Sequence, residues 1–222
     1  MSDTQLISAC RAFVSFKDRL DESLTEVDDP YERFYERRAI FPKKFLRDAL
    51  PFSDAFYSYD DMVPETIDPT LVISGQYRDR PDQGRDYDHE IMEWSDGIVS
   101  DNDKYCSEAP RYARIGTMPL YVALEGKNRV TLFKRHQRPM RAFITPVAFP
   151  APSDLTIVRF SPFGAYGLAY QDEPARIIPY PEVALPLLTA YGVTSQEKSW
   201  SLRAAGYART AQKEIRKSRM AP

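Results

Sequence analysis

Residues 118–146 read MPLYVALEGKNRVTLFKRHQRPMRAFITP, and the fold is read outward from their pattern. A short apolar, β-prone run, Pro119 to Leu124, comes first. A polar knot follows, Glu125-Gly126-Lys127-Asn128-Arg129, then a helix-like segment over 130–137 and a second β-like run over 140–144. This succession predicts a strand, a glycine turn, a helix N-terminus and a returning strand. Such a turn presents backbone N–H groups and the positive end of a helix dipole to an anion. Gly126 permits a tight turn close to a ligand. Lys127 and Arg129 supply cations, Arg129 with a planar fork suited to bidentate phosphate contacts. Asn128 can cap the helix or donate to a phosphate oxygen. Glu125 can hold Mg²⁺, act as a base, or pair with Lys127 or Arg129. The alternative is a capped helix start with a surface salt bridge and no ligand.

Upstream of the knot, residues 67–74 (IDPTLVIS) predict a short strand leading into a polar run with Arg78, Arg80 and Arg85 among acids. Residues 88–94 suggest a helix, and 97–109 a loop or short edge. His89-Glu90 followed by Glu93 lacks the second histidine of a zinc-protease helix. Asp86, Asp88, Glu90 and Glu93 suit either a Mg²⁺ site or a solvated acidic face. Nearer the N-terminus, apolar residues at three- and four-residue spacing predict a helix over 4–27. A second helix starts near Pro30, carries Tyr31, Phe34, Tyr35 and Arg38, and is bent or ended by Pro42. Residues 51–64 suggest an ordered aromatic loop.

Downstream, 154–160 predict a strand, 163–170 a strand or glycine turn, and 175–178 a short strand. Pro181 opens a helix that Gly192 ends. Thr194 or Ser195 caps a last helix reaching about Arg219. Its basic residues include Arg209, Lys213, Arg216 and Lys217, which fit either a nucleic-acid or partner-binding arm or a solvated terminal helix.

Composition bounds the possibilities. A chain of 222 residues, 43% hydrophobic and 13% aromatic, can bury a real core. Eighteen prolines favour many loops and short strands, hence irregular α+β rather than a helical bundle. The formal net charge of -2 hides a gradient. Residues 1–108 hold 13 Lys+Arg against 25 Asp+Glu, and residues 109–222 hold 17 against 7. Either the basic half offers a polyanion-binding surface or the halves neutralise one another internally. Cys10 and Cys106 lie far apart without a C-x-x-C pattern, so a disulfide framework is not expected. Neither a secretory signal nor a membrane-spanning run is apparent, and a cytoplasmic protein with no membrane partner is expected.

A strand ending in an acid-Gly-x-x-Arg turn, followed by a helix and a strand, resembles the ParB/sulfiredoxin-like superfamily. Its members include the nucleotide-binding domain of ParB partition proteins, sulfiredoxins, ParB-like nucleases and free-serine kinases. The turn reads Gly-Cys-His-Arg in sulfiredoxins and Asp-Gly-His-His-Arg in the kinases. Here it is Glu125-Gly126-Lys127-Asn128-Arg129, and the strand leading to Arg78 and Arg80 loosely resembles the first ParB box. Lys127 stands where sulfiredoxins carry their cysteine, so sulfinic-acid reduction is not implied. Histidines are absent from the knot, unlike the kinases. The residues after Pro181 are too few for a helix-turn-helix region plus a dimerisation domain.

The resemblance implies an α+β ParB/sulfiredoxin-like core, a small mixed sheet with flanking helices, over 66–180. An N-terminal helical extension (1–65) and C-terminal helices with a basic tail (181–222) would flank it. It implies phosphate, nucleotide or DNA binding by Gly126, Lys127, Asn128 and Arg129 with Arg78 and Arg80. A nuclease or nucleoside-triphosphate hydrolase would use Glu125 and Arg129 as catalytic residues, with Mg²⁺ on Glu125. Lys134, Arg135, Arg209, Lys213, Arg216 and Lys217 are candidate nucleic-acid contacts. The alternative is a non-catalytic regulator or adaptor that binds a protein or DNA through its helical extensions.

Overall fold

The computed structural model describes residues 3–24, 36–37, 40–75, 77–78, 85–99, 103–161, 164–199 and 202–220. The first half runs α1 (Asp3–Leu24), β1 (Glu36–Arg37), α2 (Pro42–Ala49), β2 (Val63–Ile67), β3 (Val72–Ile73), β4 (Tyr77–Arg78) and α3 (Arg85–Gly97). Next come β5 (Arg111–Ile115), β6 (Tyr121–Ala123), α4 (Lys127–Arg135), β7 (Met140–Val147), β8 (Leu155–Ser161) and β9 (Ala165–Tyr170). The chain closes with β10 (Arg176–Ile177), α5 (Pro181–Tyr191), β11 (Thr194–Ser199) and α6 (Leu202–Met220).

Two mixed sheets organise these elements, in the orders β2-β7-β5-β6-β3 and β10-β9-β8-β11, and β1 and β4 form a separate two-stranded pair. The α+β class is as expected. The 118–146 stretch lies in the larger sheet. β5 and β6 are antiparallel, with Ala113 opposite Val122. The chain then passes through α4 and returns as β7 on the other side of β5, parallel to it, with Ala113 opposite Thr145. β5 is therefore the central strand. The sequence reading assigned 111–115 to no element, although Tyr112, Ala113 and Ile115 are all buried. A central strand buried on both faces lacks the alternation that marks a half-exposed one.

Each helix follows from its pattern. α1 buries Cys10, Phe13, Val14, Lys17 and Asp21 on one face, and it packs against α5 and the start of β3. α5 buries Ala184, Leu187, Leu188 and Tyr191 and ends on Gly192 at φ 111°, whose N–H returns to the Leu188 carbonyl. This is the left-handed cap that glycine favours. One continuous apolar cluster joins α1, α2, the larger sheet, β8, β9 and α5. The boundary drawn at 65/66 falls inside β2, and that drawn at 180/181 separates β11 from its partner β8.

Several expectations are corrected. The strand over 67–74 is broken: β2 pairs with β7, Asp68 caps a 3₁₀ turn at Pro69–Leu71 by accepting from Thr70 N–H, and β3 follows. The aromatic loop gives way to β2 at Val63. Pro42 starts α2 instead of ending a helix, where its missing N–H costs nothing. Glu36 and Arg37 lie in a strand, whereas the rest of the helix expected near Pro30, with Tyr31, Phe34, Tyr35 and Arg38, falls outside the described residues. Thr194 and Ser195 belong to β11, parallel to β8, and the last helix starts only at Leu202. That helix is docked: Ala208 is buried, and Gln212 Nε2 donates to the Ile178 carbonyl at 3.1 Å. Among the described residues, no helix is long and apolar enough to cross a membrane.

Candidate functional site

The knot sits where β6 leaves the larger sheet. Leu124 and Glu125 both donate their backbone N–H to the Arg111 carbonyl, at 3.0 and 3.1 Å, so the chain turns off the sheet tightly. Gly126 then adopts φ 71°, ψ 27° and is the N-cap of α4. α4 therefore begins at Lys127 rather than 130, and Lys127, Asn128 and Arg129 form its first turn. No side chain caps that turn. Asn128 is exposed and does not serve as the cap. The first N–H groups of a helix have no intrahelical acceptor, and the dipole adds positive potential there.

Gly126 also meets the strand beneath the turn. A Cβ there would stand 3.1 Å from Pro110 Cα and 3.2 Å from Pro110 Cβ. The close approach is thus to the start of β5, beneath the turn. Tyr112, wholly buried, donates its hydroxyl to the Gly126 carbonyl at 3.4 Å and fixes the turn from below. Burial pushes the Tyr112 phenol well above its usual range, so it remains a donor.

The two cations of the first turn lie over aromatic rings. Lys127 Nζ is 5.2 Å from the centre of the Phe41 ring, and Arg129 Cζ is 4.8 Å from that of Trp94. Arg129 also faces Glu108 at 3.9 Å. Its Nη1 is buried and has no hydrogen-bond partner. Desolvation lowers the Arg129 pKa, with Tyr112 and Glu108 opposing the shift. A guanidinium remains cationic at neutral pH regardless.

On the other side of the knot, Arg111 is buried and donates to the carbonyls of Lys104 and Cys106. Its guanidinium lies 5.6 and 5.2 Å from the ring centres of Tyr57 and Tyr59. Tyr59 packs on Tyr105 at 5.2 Å, and Lys104 Nζ is 5.2 Å from the Tyr105 ring. A hydrogen bond to Tyr59, burial and the negative charge of Glu125 raise the Tyr57 hydroxyl pKa. Glu125 thus borders this tyrosine cluster. Arg111 holds the 103–106 loop against β5.

The remaining predicted residues are placed as follows. Lys134 and Arg135 sit at the far end of α4, about 10 Å along the axis from the knot at 1.5 Å per residue. They pair with Asp18 at 2.7 Å and Asp88 at 3.6 Å, so they neutralise acids rather than line the turn. β4, with Arg78, lies beside α4, while Arg80 is outside the described residues. Arg216 pairs with Glu182 and lies 5.8 Å from the Tyr180 ring. Arg209 and Lys213 are exposed on α6, which packs on the smaller sheet. Lys217 lies in α6. Sequence reasoning missed Phe41, Trp94 and Tyr105, because rings distant in the chain meet these cations only through the fold.

Among the described residues, no group of three His, Cys, Asp or Glu side chains could hold a metal ion. Glu125 offers at most one carboxylate to a Mg²⁺ brought in by phosphates, so these residues do not fit a protein-built metal centre. A separate cleft of about 840 Å³ includes Arg47, Phe52, Phe149, Tyr170 and Arg176 in its walls and none of the knot residues. It has the volume of a ligand site and two arginines in its walls, but none of the residues of the glycine turn. No family model, curated protein or solved structure matches the chain.

Proposed function

We propose that the 125–129 turn binds the phosphate of a nucleotide or of DNA, as a ParB/sulfiredoxin-like turn would. The observation that carries this reading is the uncapped start of α4, with Lys127 and Arg129 in its first turn and Arg129 Nη1 lacking an acceptor. An oxyanion there would accept from the Lys127 and Asn128 N–H groups, the Arg129 N–H being held by the Gly126 carbonyl, with Lys127 to one side of it and Arg129 to the other. The succession β6, glycine turn, α4, β7 supports the same resemblance. Binding is the function proposed. Hydrolysis by a nuclease or triphosphatase would rest on Glu125 as the carboxylate beside the turn.

The test is fluorescence anisotropy with labelled nucleoside triphosphate and labelled DNA, with and without Mg²⁺. Arg129→Ala and Lys127→Ala should each weaken binding by about tenfold, the range of a charge-assisted hydrogen bond. Far-UV circular dichroism should be unchanged. Binding by neither ligand, or binding indifferent to both substitutions, would defeat the reading. Release of phosphate or nucleotide fragments by the wild type but not by Glu125→Gln would add catalysis to it.

A further inference from the structure

Three large rings stand exposed around the knot: Phe41 at 53%, Trp94 at 47% and Tyr105 at 64%. Each has a cation within 5.2 Å of its ring centre: Lys127, Arg129 and Lys104 respectively. Lys127 and Arg129 are two positions apart, and residues so spaced on a helix point to different sides. Phe41 and Trp94 therefore flank the start of α4, which no side chain caps. Tyr105 extends the surface through Tyr59 and Arg111.

We infer that the occupant of this surface is a single strand of nucleic acid, whose bases stack on Phe41, Trp94 and Tyr105 while its backbone crosses the 126–129 turn. The inference rests on the phosphate reading above and adds the state of the bases. Aromatic platforms beside cations bind unpaired bases with little regard to sequence, because every base has a flat face. A duplex keeps its base faces stacked inside, so it could meet the cations but would leave the rings in water. A mononucleotide carries one base for three rings. DNA and RNA strands share the base faces and phosphates used, so both belong to the ligand class.

The experiment measures anisotropy and tryptophan emission with four twelve-residue probes: oligo(dT), oligo(rU), a DNA duplex, and an abasic deoxyribose-phosphate strand. The full chain is used, with Trp94→Ala, Trp94→Tyr, Tyr105→Ala and Arg129→Ala variants. Oligo(dT) and oligo(rU) should bind at least about tenfold more tightly than the duplex and the abasic strand, the scale of one stacked base. Trp94→Ala should lose about tenfold for the single strands and nothing for the abasic strand. Trp94→Tyr should keep the affinity while losing most of the emission quench. Tyr105, being largely exposed, can be removed without threat to folding, and its loss should weaken single-strand binding alone. Equal binding of the abasic and base-bearing strands would overturn the inference while leaving the phosphate reading intact. So would preference for the duplex, or single-strand affinity unmoved by both Trp94→Ala and Tyr105→Ala. Binding of none of the four probes would overturn the inference, and the phosphate reading falls with it only if labelled nucleoside triphosphate also fails to bind.

Discussion

At the scale of single residues, Gly126 tests whether the knot is a rigid part of the fold. Its φ of 71° is left-handed, and an added Cβ would meet Pro110 at 3.1 Å. Gly164 has nearly the same φ, 67°, but nothing within 4 Å of an added Cβ. Gly126→Ala combines backbone strain with crowding, whereas Gly164→Ala carries the strain alone. Urea denaturation should show a loss of about 1 kcal/mol for Gly164→Ala and about 2–3 kcal/mol for Gly126→Ala. Equal losses would mean that the Pro110 contact relaxes freely. In the sequence, Gly126 reads as the residue that lets the backbone turn closely around a ligand. The structure assigns the need for glycine to the strand beneath it, which the sequence pattern could not reveal because β5 was not recognised.

At the scale of elements, α1 carries a buried ion pair that fastens it to its surroundings. Lys17 and Asp21 are wholly buried and bonded to each other. Lys17 also donates to the Ser74 carbonyl just after β3, and Asp21 accepts from Ile40 N–H at 2.9 Å, ahead of α2. Removing one partner strands a buried charge, so Lys17→Met should cost about 3–5 kcal/mol in chemical denaturation. The double variant Lys17→Met/Asp21→Leu should recover most of that loss. Burial raises Asp21 from 3.8 to about 6, against the pull of Lys17, and lowers Lys17. Between about pH 4 and 6 the folded chain therefore holds a proton on Asp21 that the unfolded chain has released. By linkage, this group's contribution to stability is greatest below that window and falls as pH rises through it. Thermal melts from pH 7 down to 5 should show the wild type gaining on the double variant; a constant difference would refute the assignment. α1 and α5 were legible because their apolar spacing matches a helical face. β11 was not, because Thr194, Ser195, Gln196 and Glu197 are all exposed and their strand conformation comes from pairing with β8. Polar edge strands leave little local signature.

At the scale of the whole molecule, part of the charge gradient is neutralised inside the fold. Cations of the basic half meet acids of the acidic half at Arg114–Glu65 (3.0 Å), Lys134–Asp18 (2.7 Å), Arg135–Asp88 (3.6 Å) and Arg138–Asp96 (2.8 Å). Of the two readings open from composition, internal neutralisation accounts for these residues. The site was legible in its local part, Lys127 and Arg129 after a glycine turn. Its aromatic flank was not, since Phe41, Trp94 and Tyr105 come from three separate segments brought together by the larger sheet and its loops. Lys104, Lys127 and Arg129, beside the turn, are the cations that the proposed reading sets against phosphates. Each phosphate neutralised on a single strand adds about -0.7 to the slope of log affinity against log salt concentration. Two or three contacts predict a slope between about -1.4 and -2.1 for oligo(dT). Titrations from low to moderate salt would measure it directly, with Lys127→Ala expected to flatten it by about 0.7. A slope steeper than about -4 would show instead that the basic half acts as a whole, with Arg209 and Lys213 on α6 joining the contact. A shallow slope that Lys127→Ala flattens, with the Trp94 emission quenched, would place the strand at the start of α4, where fixed N–H groups and stacking rings supply affinity that salt does not screen.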